Sequence, residues 1–189
     1  ARASVYARDL GFFESTQATA GTWASNATKI QLMGPGIART GHRVQYVKST
    51  SAAVATGSTN LPFDDTIPQN TEGDQYMSLA ITPTNAINLL RISHVGSYAS
   101  SGSSNCGLAL FQDATANALA AFPFLINGAN VANIITITYV MSAGTTSATT
   151  MKIRVGNASG GTITFNGQSA ARLFGGVSAS LLDIEEIFA

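Results

Sequence analysis

Four carboxylates lie close together in a segment rich in turn-forming residues. Asp64, Asp65, Glu72 and Asp74 follow Pro62, and oxygen ligands of this kind can bind Ca²⁺. Their spacing differs from that of an EF-hand loop. Carboxylates in such segments also accept hydrogen bonds from backbone amides in turns. We therefore expect turn and capping contacts at these positions, and a calcium site is the less favoured alternative.

Other kinds of catalytic site find little support in the sequence. Two carboxylates across a groove can hydrolyse a glycosidic bond, but no pair stands out among the acidic residues. His42 and His94 lack metal-ligand spacing, and no GxSxG nucleophile elbow is present. The glycines of residues 156–161 do not lead into a predicted helix, as those of a phosphate-binding loop would. We expect a protein that is not an enzyme, that carries no metal or cofactor, and whose histidines are structural.

The low charge of the chain limits its partners. Of 189 residues, 11% are charged and the formal net charge is zero, whereas about a quarter are charged in an average soluble domain. Neither nucleic acid nor an anionic membrane is therefore attracted at long range. The single cysteine, Cys106, cannot form an internal disulfide and is expected to be a buried thiol. Without an apolar run of ~20 residues or a signal-peptide core, the chain is expected to assemble in a cytoplasm.

Short apolar runs that alternate in twos follow one another from Val44 onwards. A period of two places one set of side chains on the core face of a strand and the other set on the far face. Clusters of Gly, Pro, Asn and Ser bound the runs, as in an antiparallel β-sandwich. We predict an all-β fold in which Lys152 and Arg154 face outward. The predicted core-facing sets are Val44 and Tyr46; Met77, Leu79 and Ile81; Leu90 and Ile92; and Met151, Ile153 and Val155.

The C-terminal segment predicts two closing strands, at residues 162–165 and 180–187. Asn166-Gly167 and Gly175-Gly176 lie between them and tolerate the positive φ of tight turns. In the second strand Glu186 falls on the inward face unless a β-bulge resets the register. We expect either that bulge or a subunit interface in which Glu186 meets a cation such as Arg172.

Residues 133–141, NIITITYVM, are apolar or Thr on both faces of the predicted strand. Such a strand is central in its own domain or is covered by another chain. The subunit interface is therefore predicted at Ile135, Ile137 and Tyr139, and the centre of the sandwich is the alternative.

Four stretches, in order, carry a family resemblance. They are LPFDDTIPQNTEGDQYMSLAITP (residues 61–83), LALFQDATANALAA (108–121), MSAGTTSATTMKIRVG (141–156) and FNGQSAARLFGGVSAS (165–180). Together they resemble a β-sandwich module of bacteriophage virion proteins, found at the ends of tail fibres and tailspikes and on capsid-attached proteins. The resemblance covers residues 44–189. It implies a jelly-roll-like sandwich, assembly as a homotrimer and a place on the virion surface.

Residues 1–43 match no family and are predicted to form an irregular attachment arm. Its aromatic residues include Phe12, Phe13 and Trp23, which could anchor the arm on another virion protein. Aromatic residues are more often core, so a strand or two packed on the sandwich is the alternative. A short helix at residues 1–14 is a third, weakly patterned possibility.

Two functions fit these expectations. In the first, the protein is a capsid decoration, cement or head-fibre protein held by its arm, because nothing in the chain could form a long fibre shaft. In the second, it is the receptor-binding tip of a tail fibre or tailspike that attaches to a bacterial surface glycan. Loop asparagines and Tyr98 could serve that role, although Asn is also a common turn residue. The asparagines are Asn85, Asn88, Asn105, Asn117, Asn127, Asn130 and Asn157.

Overall fold

The computed structural model describes residues 12–14, 29–31 and 40–189. The chain divides into two units, residues 1–39 and residues 40–189. In the first, β1 (Phe12–Glu14) pairs with β2 (Lys29–Gln31) in an antiparallel ladder. The short helix considered for this region is therefore wrong at residues 12–14. Trp23 lies outside the described residues, and the anchoring role of Phe12 and Phe13 stays a prediction.

The second unit is built from strands, and its described residues contain no α-helix. A single 3₁₀ turn, Phe174–Gly176, interrupts them. The strands are β3 (Arg43–Ser51), β4 (Ala55–Gly57), β5 (Asp74–Ile81), β6 (Leu89–Ser100), β7 (Ser104–Gln112), β8 (Ala120–Ile126), β9 (Ala132–Ser142), β10 (Thr149–Asn157), β11 (Ile163–Phe165), β12 (Gly167–Gln168), β13 (Ala171–Arg172) and β14 (Ser180–Ile187).

The eight long strands form two antiparallel layers. One layer has the order β3-β14-β6-β9, and the short strands β11 and β4 extend it beyond one end of β14. The other has the order β5-β10-β7-β8. Eight strands in two layers with this connectivity make a jelly roll. The predicted all-β antiparallel sandwich is confirmed.

The inner faces of the two layers enclose one hydrophobic core. The predicted alternation holds on β5, β6 and β10, where the core-facing sets are buried or partly buried. Cys106 is buried in the same core, as predicted. The largest fully buried side chains include Tyr98, Phe111, Phe165, Leu90, Ile92 and Met151.

The predicted alternation is wrong on β3. Tyr46 is 41% exposed and pairs with Glu185 of β14 on the outer face, where the Arg43 guanidinium lies 5.3 Å from its ring centroid. Val47 packs against the core instead. Its neighbour Gln45 lies on the same inward side and binds Glu186, so a polar residue holds the position that periodicity assigns to an apolar one.

A loop covers the outer face of the layer β5-β10-β7-β8. Leu61 is buried on Ala109 and Phe111 in a second, smaller apolar cluster. Arg154 points outward, as predicted, and its guanidinium donates to the carbonyl oxygens of Glu72 (2.8 Å) and Gly73 (2.6 Å). This layer therefore has apolar packing on both sides, whereas no described loop packs on the other layer in this way.

The predicted turns of the C-terminal segment are present. Asn166 has φ 55°, and Gly175 and Gly176 have φ 64° and 91°, values that favour Asn and Gly. The strands on either side are β11 and β14, close to the predicted bounds.

Candidate functional surface

The acidic segment has the turn contacts that its sequence predicts. Asp64 accepts hydrogen bonds from the backbone N–H and hydroxyl of Thr66, and these bonds lower the pKa of Asp64. Asp74 binds the backbone N–H and hydroxyl of Thr59, each at 2.8 Å. Glu72 accepts from a backbone N–H, at 2.8 Å. No cluster of three potential metal ligands occurs among the described residues.

His94 is a structural residue, as expected. It is 3% exposed, and its Nδ1 lies 2.8 Å from the Leu181 carbonyl oxygen, which requires Nδ1 to carry the proton. Its Nε2 then accepts the Tyr98 hydroxyl hydrogen at 2.9 Å. Burial lowers the pKa of His94 to about 4, against the opposing effect of the Leu181 hydrogen bond. The ring is therefore neutral at pH 7.

Tyr98 is not available to stack on a sugar. Its side chain is fully buried, with ring centroids 5.3 Å from Phe165 and 5.7 Å from Tyr76. Asn88 and Asn157 are also buried. These three residues are corrections to the predicted glycan surface. Turn patterns alone could not reveal that they point inward.

Glu186 is the buried charge of the sandwich. It has no exposed surface, yet its carboxylate accepts bonds from Asn88 Nδ2 (2.6 Å), Gln45 Nε2 (2.6 Å) and the Thr84 hydroxyl (2.7 Å). The backbone N–H groups of Thr84 and Asn85 also donate to it. Burial alone would raise the pKa of Glu186, but these bonds outweigh it and lower the pKa to about 2. Glu186 is therefore a charged, fully bonded residue.

The cation expected beside Glu186 is absent from its described surroundings. Arg172 is exposed, lies in β13 and pairs with Gly167. A register shift does occur on the β3 side of β14, between Glu186 and Ile187. It lies too late to turn Glu186 outward. Neutral donors of the same chain satisfy this carboxylate, which the sequence pattern did not reveal.

The predicted interface residues of β9 face the core. Ile137 is 3% exposed, and Ile135 and Tyr139 pack partly buried against the central cluster. They lie on the inner face because β9 pairs with β6 in register from Ala99↔Ala132 to Leu89↔Ser142. The prediction of two apolar faces is sound, but the named residues occupy the inward one.

The outward face of β9 is open. Ile134 is 66% exposed and Val140 is 51% exposed, and Thr136 and Thr138 between them are exposed as well. Within the described part of the chain, β9 pairs only with β6, so its other edge has no strand partner there.

The surface around β9 carries no charge. No Asp, Glu, Lys, Arg or His occurs between Asp113 and Lys152, a segment that contains β8 and β9. β8 adds two exposed apolar residues, Phe122 and Leu125. We call the surface of β8 and β9 the uncharged side. Grouped apolar exposure without charges is typical of a contact surface.

An open groove of about 440 Å³ lies beside the acidic loop. Its walls include Phe63 and Phe122, both partly exposed, and the carboxylates of Asp64 and Asp65. Aromatic rings and carboxylates together can bind a polar ring by stacking and hydrogen bonds.

Separately, no helix in the described residues is long and apolar enough to cross a membrane.

Comparisons with known proteins find only weak likenesses. No family model and no curated protein matches the chain. A CBM4 structure is 12% identical, covers 60% of this chain and 76% of its own, and has a TM-score of 0.35. A structure of infectious bursal disease virus, Gx strain, is 12% identical over 94% of this chain and 43% of its own, with a TM-score of 0.34. The enzymatically active domain of tailspike protein 4 from bacteriophage CBA120 is 14% identical over 66% of this chain and 19% of its own, with a TM-score of 0.27. The chain spans less than half of those last two proteins.

Proposed function

We propose that the protein is a non-enzymatic structural protein on the surface of a bacteriophage virion, as a capsid decoration, cement or head-fibre protein anchored by residues 1–43. The four ordered sequence motifs support the virion location. The observation that carries the structural role is the uncharged side, where Ile134, Val140 and Leu125 are more than half exposed.

Contact with other subunits is the favourable state for such a surface. Burying apolar area contributes about 25 cal/mol per Å². Covering β8 and β9 desolvates no charged side chain of either strand, so the penalty that opposes burial of charges does not arise there. Assembly in the host cytoplasm, with copies of itself and with other virion proteins, follows from this property.

The subunit interface is therefore proposed at the outward face of β9, in place of Ile135, Ile137 and Tyr139. The resemblance implies a homotrimer on the virion surface. Neither nucleic acid nor a membrane is a proposed partner, because the chain has a net charge of zero.

Quantitative mass spectrometry of purified virions tests the proposal. A decoration or cement protein is expected at copy numbers comparable to those of the capsid protein. Absence from purified particles would refute the virion role. A low copy number, comparable to that of tail proteins, would exclude decoration in favour of a fibre or tailspike tip.

The groove beside the acidic loop favours a second function, recognition of a host surface glycan by a fibre tip. Phe63 supplies an exposed ring, and Asp65 a carboxylate within the same groove. Phe63→Ala is expected to weaken binding of the purified protein to host cells at least tenfold. The matched control is Ile87→Ala, another exposed apolar residue, which lies outside the residues lining the groove. Wild-type protein that neither binds host cells nor competes with phage adsorption would exclude this function.

A further inference from the structure

The free edge of β9 differs from the other long edge strands of the sandwich. Natural proteins protect such edges with charged residues, Pro, bulges or coverage. β3 carries Arg43 and Lys48, β5 carries Asp74, and β8 contains Pro123. β9 has eleven residues without a charge, a Pro or a Gly. Its edge is therefore open to pairing with another strand.

The ladder between β9 and β6 determines which amides point to that edge. Just beyond the strand, the Ala143 N–H donates to the Asn88 carbonyl oxygen at 2.7 Å, in the same register as the β6–β9 pairs. Hydrogen-bonded pairs recur at every second residue of an antiparallel ladder. The odd-numbered residues of β9 thus bond to β6, and the backbone groups of Ile134, Thr136, Thr138 and Val140 point to the free edge.

We propose that β9 pairs antiparallel with β9 of a second copy of this chain, about a two-fold axis at Ile137. Ile137 is the middle residue of Ala132–Ser142, so this register overlaps the whole of both strands. It places Ile134 opposite Val140 and Thr136 opposite Thr138. Both are pairs of residues whose backbone groups point to the free edge, as a hydrogen-bonded pair requires.

The side chains match in this register. On the outer face, the apolar Ile134 meets the apolar Val140, and Thr136 meets Thr138 across the axis. Apolar β-branched pairs and Thr–Thr pairs stabilise adjacent strands, and no like charges oppose each other because β9 has none. A two-fold contact repeats each pair twice. The strand is therefore complementary to itself, which favours a second copy over an unrelated partner.

The pairing joins two four-stranded layers into one continuous sheet with the order β3-β14-β6-β9-β9-β6-β14-β3. It does not rest on the virion role, since an isolated protein can form it. It is also a two-fold contact, distinct from the three-fold assembly that the resemblance implies.

Sedimentation of the purified full-length protein over a range of concentrations tests the proposal. Wild type is expected to dimerise or to show a two-fold step of assembly. Thr136→Lys/Thr138→Lys places like charges opposite each other on both sides of the axis, and we expect at least tenfold weaker association. Thr50→Lys is the matched control, because Thr50 is exposed on the edge strand β3, and its association is expected to equal that of wild type.

A charge-matched pair tests the register itself. Thr136→Glu/Thr138→Glu should also fail to self-associate, and mixing it with the double Lys variant should restore dimers of one copy of each. Far-UV circular dichroism and thermal melting verify that each variant folds. A wild-type protein that stays monomeric at high concentration would overturn the pairing, even if it is abundant on virions. So would double Lys and double Glu variants that fold but do not associate with each other.

Discussion

At the scale of single residues, Glu186 is the most consequential side chain of the sandwich. A carboxylate without exposed surface would be destabilising if it lacked partners. Here Asn88, Gln45 and Thr84 donate to it, and the backbone N–H of Asn85 adds another bond. These donors come from β3 and from the segment between β5 and β6, so one side chain of β14 joins three parts of the fold.

Replacing this charge should lower stability markedly. Glu186→Gln keeps the shape but brings an NH₂ group towards donors, and we expect a loss of about 3 kcal/mol in the free energy of unfolding. Urea denaturation measures it. Glu185→Gln is the matched control on the outer face, where Glu185 pairs with the largely exposed Arg43 and Arg91, and it should cost less than about 1 kcal/mol. Equal losses in the two variants would contradict the role given to Glu186.

The same residues predict how stability depends on pH. The pKa of His94 is lowered from 6.5 to about 4, so the unfolded chain binds its proton first and stability should fall as the pH drops from about 6.5 to 4. The pKa of Glu186 is lowered from 4.5 to about 2. Its contribution is fully present above about pH 4.5 and is lost as the pH falls towards 2.

Denaturation midpoints measured from pH 7 to pH 2.5 check both parts of this prediction. His94→Gln should flatten the upper part of the curve, and Glu186→Gln the lower part. A stability that stays constant over the whole range would contradict both assignments.

At the scale of elements, the loop over the layer β5-β10-β7-β8 depends on two glycines beneath it. A Cβ on Gly156 would lie 2.7 Å from the Thr59 carbonyl oxygen and 2.8 Å from the Leu61 backbone nitrogen. A Cβ on Gly107 would meet the Leu61 side chain, at Cδ2, which can rotate away. The loop backbone thus fits closely over β10 and more loosely over β7.

This difference predicts two unequal effects. Gly156→Ala should cost about 1–3 kcal/mol by forcing the loop off the sheet, and should speed protease cleavage near residues 58–66. Gly107→Ala should cost less and leave cleavage nearly unchanged. Calorimetry and limited proteolysis of the two variants make the comparison, and a larger effect at Gly107 would contradict it.

Most elements could be predicted from the alternation of apolar residues, since β5, β6, β10 and β14 follow it closely. The prediction was wrong on β3, because a polar partner for Glu186 occupies an inward position there. On β9, both faces are apolar or Thr, so periodicity could not tell which face is inward. Only the ladder to β6 settles that Ile137 faces the core and Ile134 does not.

At the scale of the whole molecule, the jelly roll has one side that differs from the rest. Charged residues and a covering loop occupy other parts of its surface, whereas the strands from Ala120 to Ser142 carry exposed apolar residues and no charge. The core cluster belongs entirely to residues 77–184, so the sandwich has its own hydrophobic interior.

Removal of residues 1–39 is therefore expected to leave a folded sandwich that no longer joins particles. The cut spares Gly41 and His42, whose backbone groups bond to Phe188 beside β14. Circular dichroism and thermal melting measure folding, and incorporation into virions measures attachment. A truncated chain that fails to fold would contradict the role of these residues as an attachment arm.

Hydrogen exchange compared between the free protein and the protein on purified virions tests the central claim most directly. The backbone amides of β8 and β9, above all those of Ile134, Thr136, Thr138 and Val140, are expected to exchange more slowly on the virion. The amides of β3, the charged edge of the same sheet, are expected to be unchanged. Equal exchange at β9 in both states, or protection confined to β3, would contradict the claim that the uncharged side is the surface by which this protein is held.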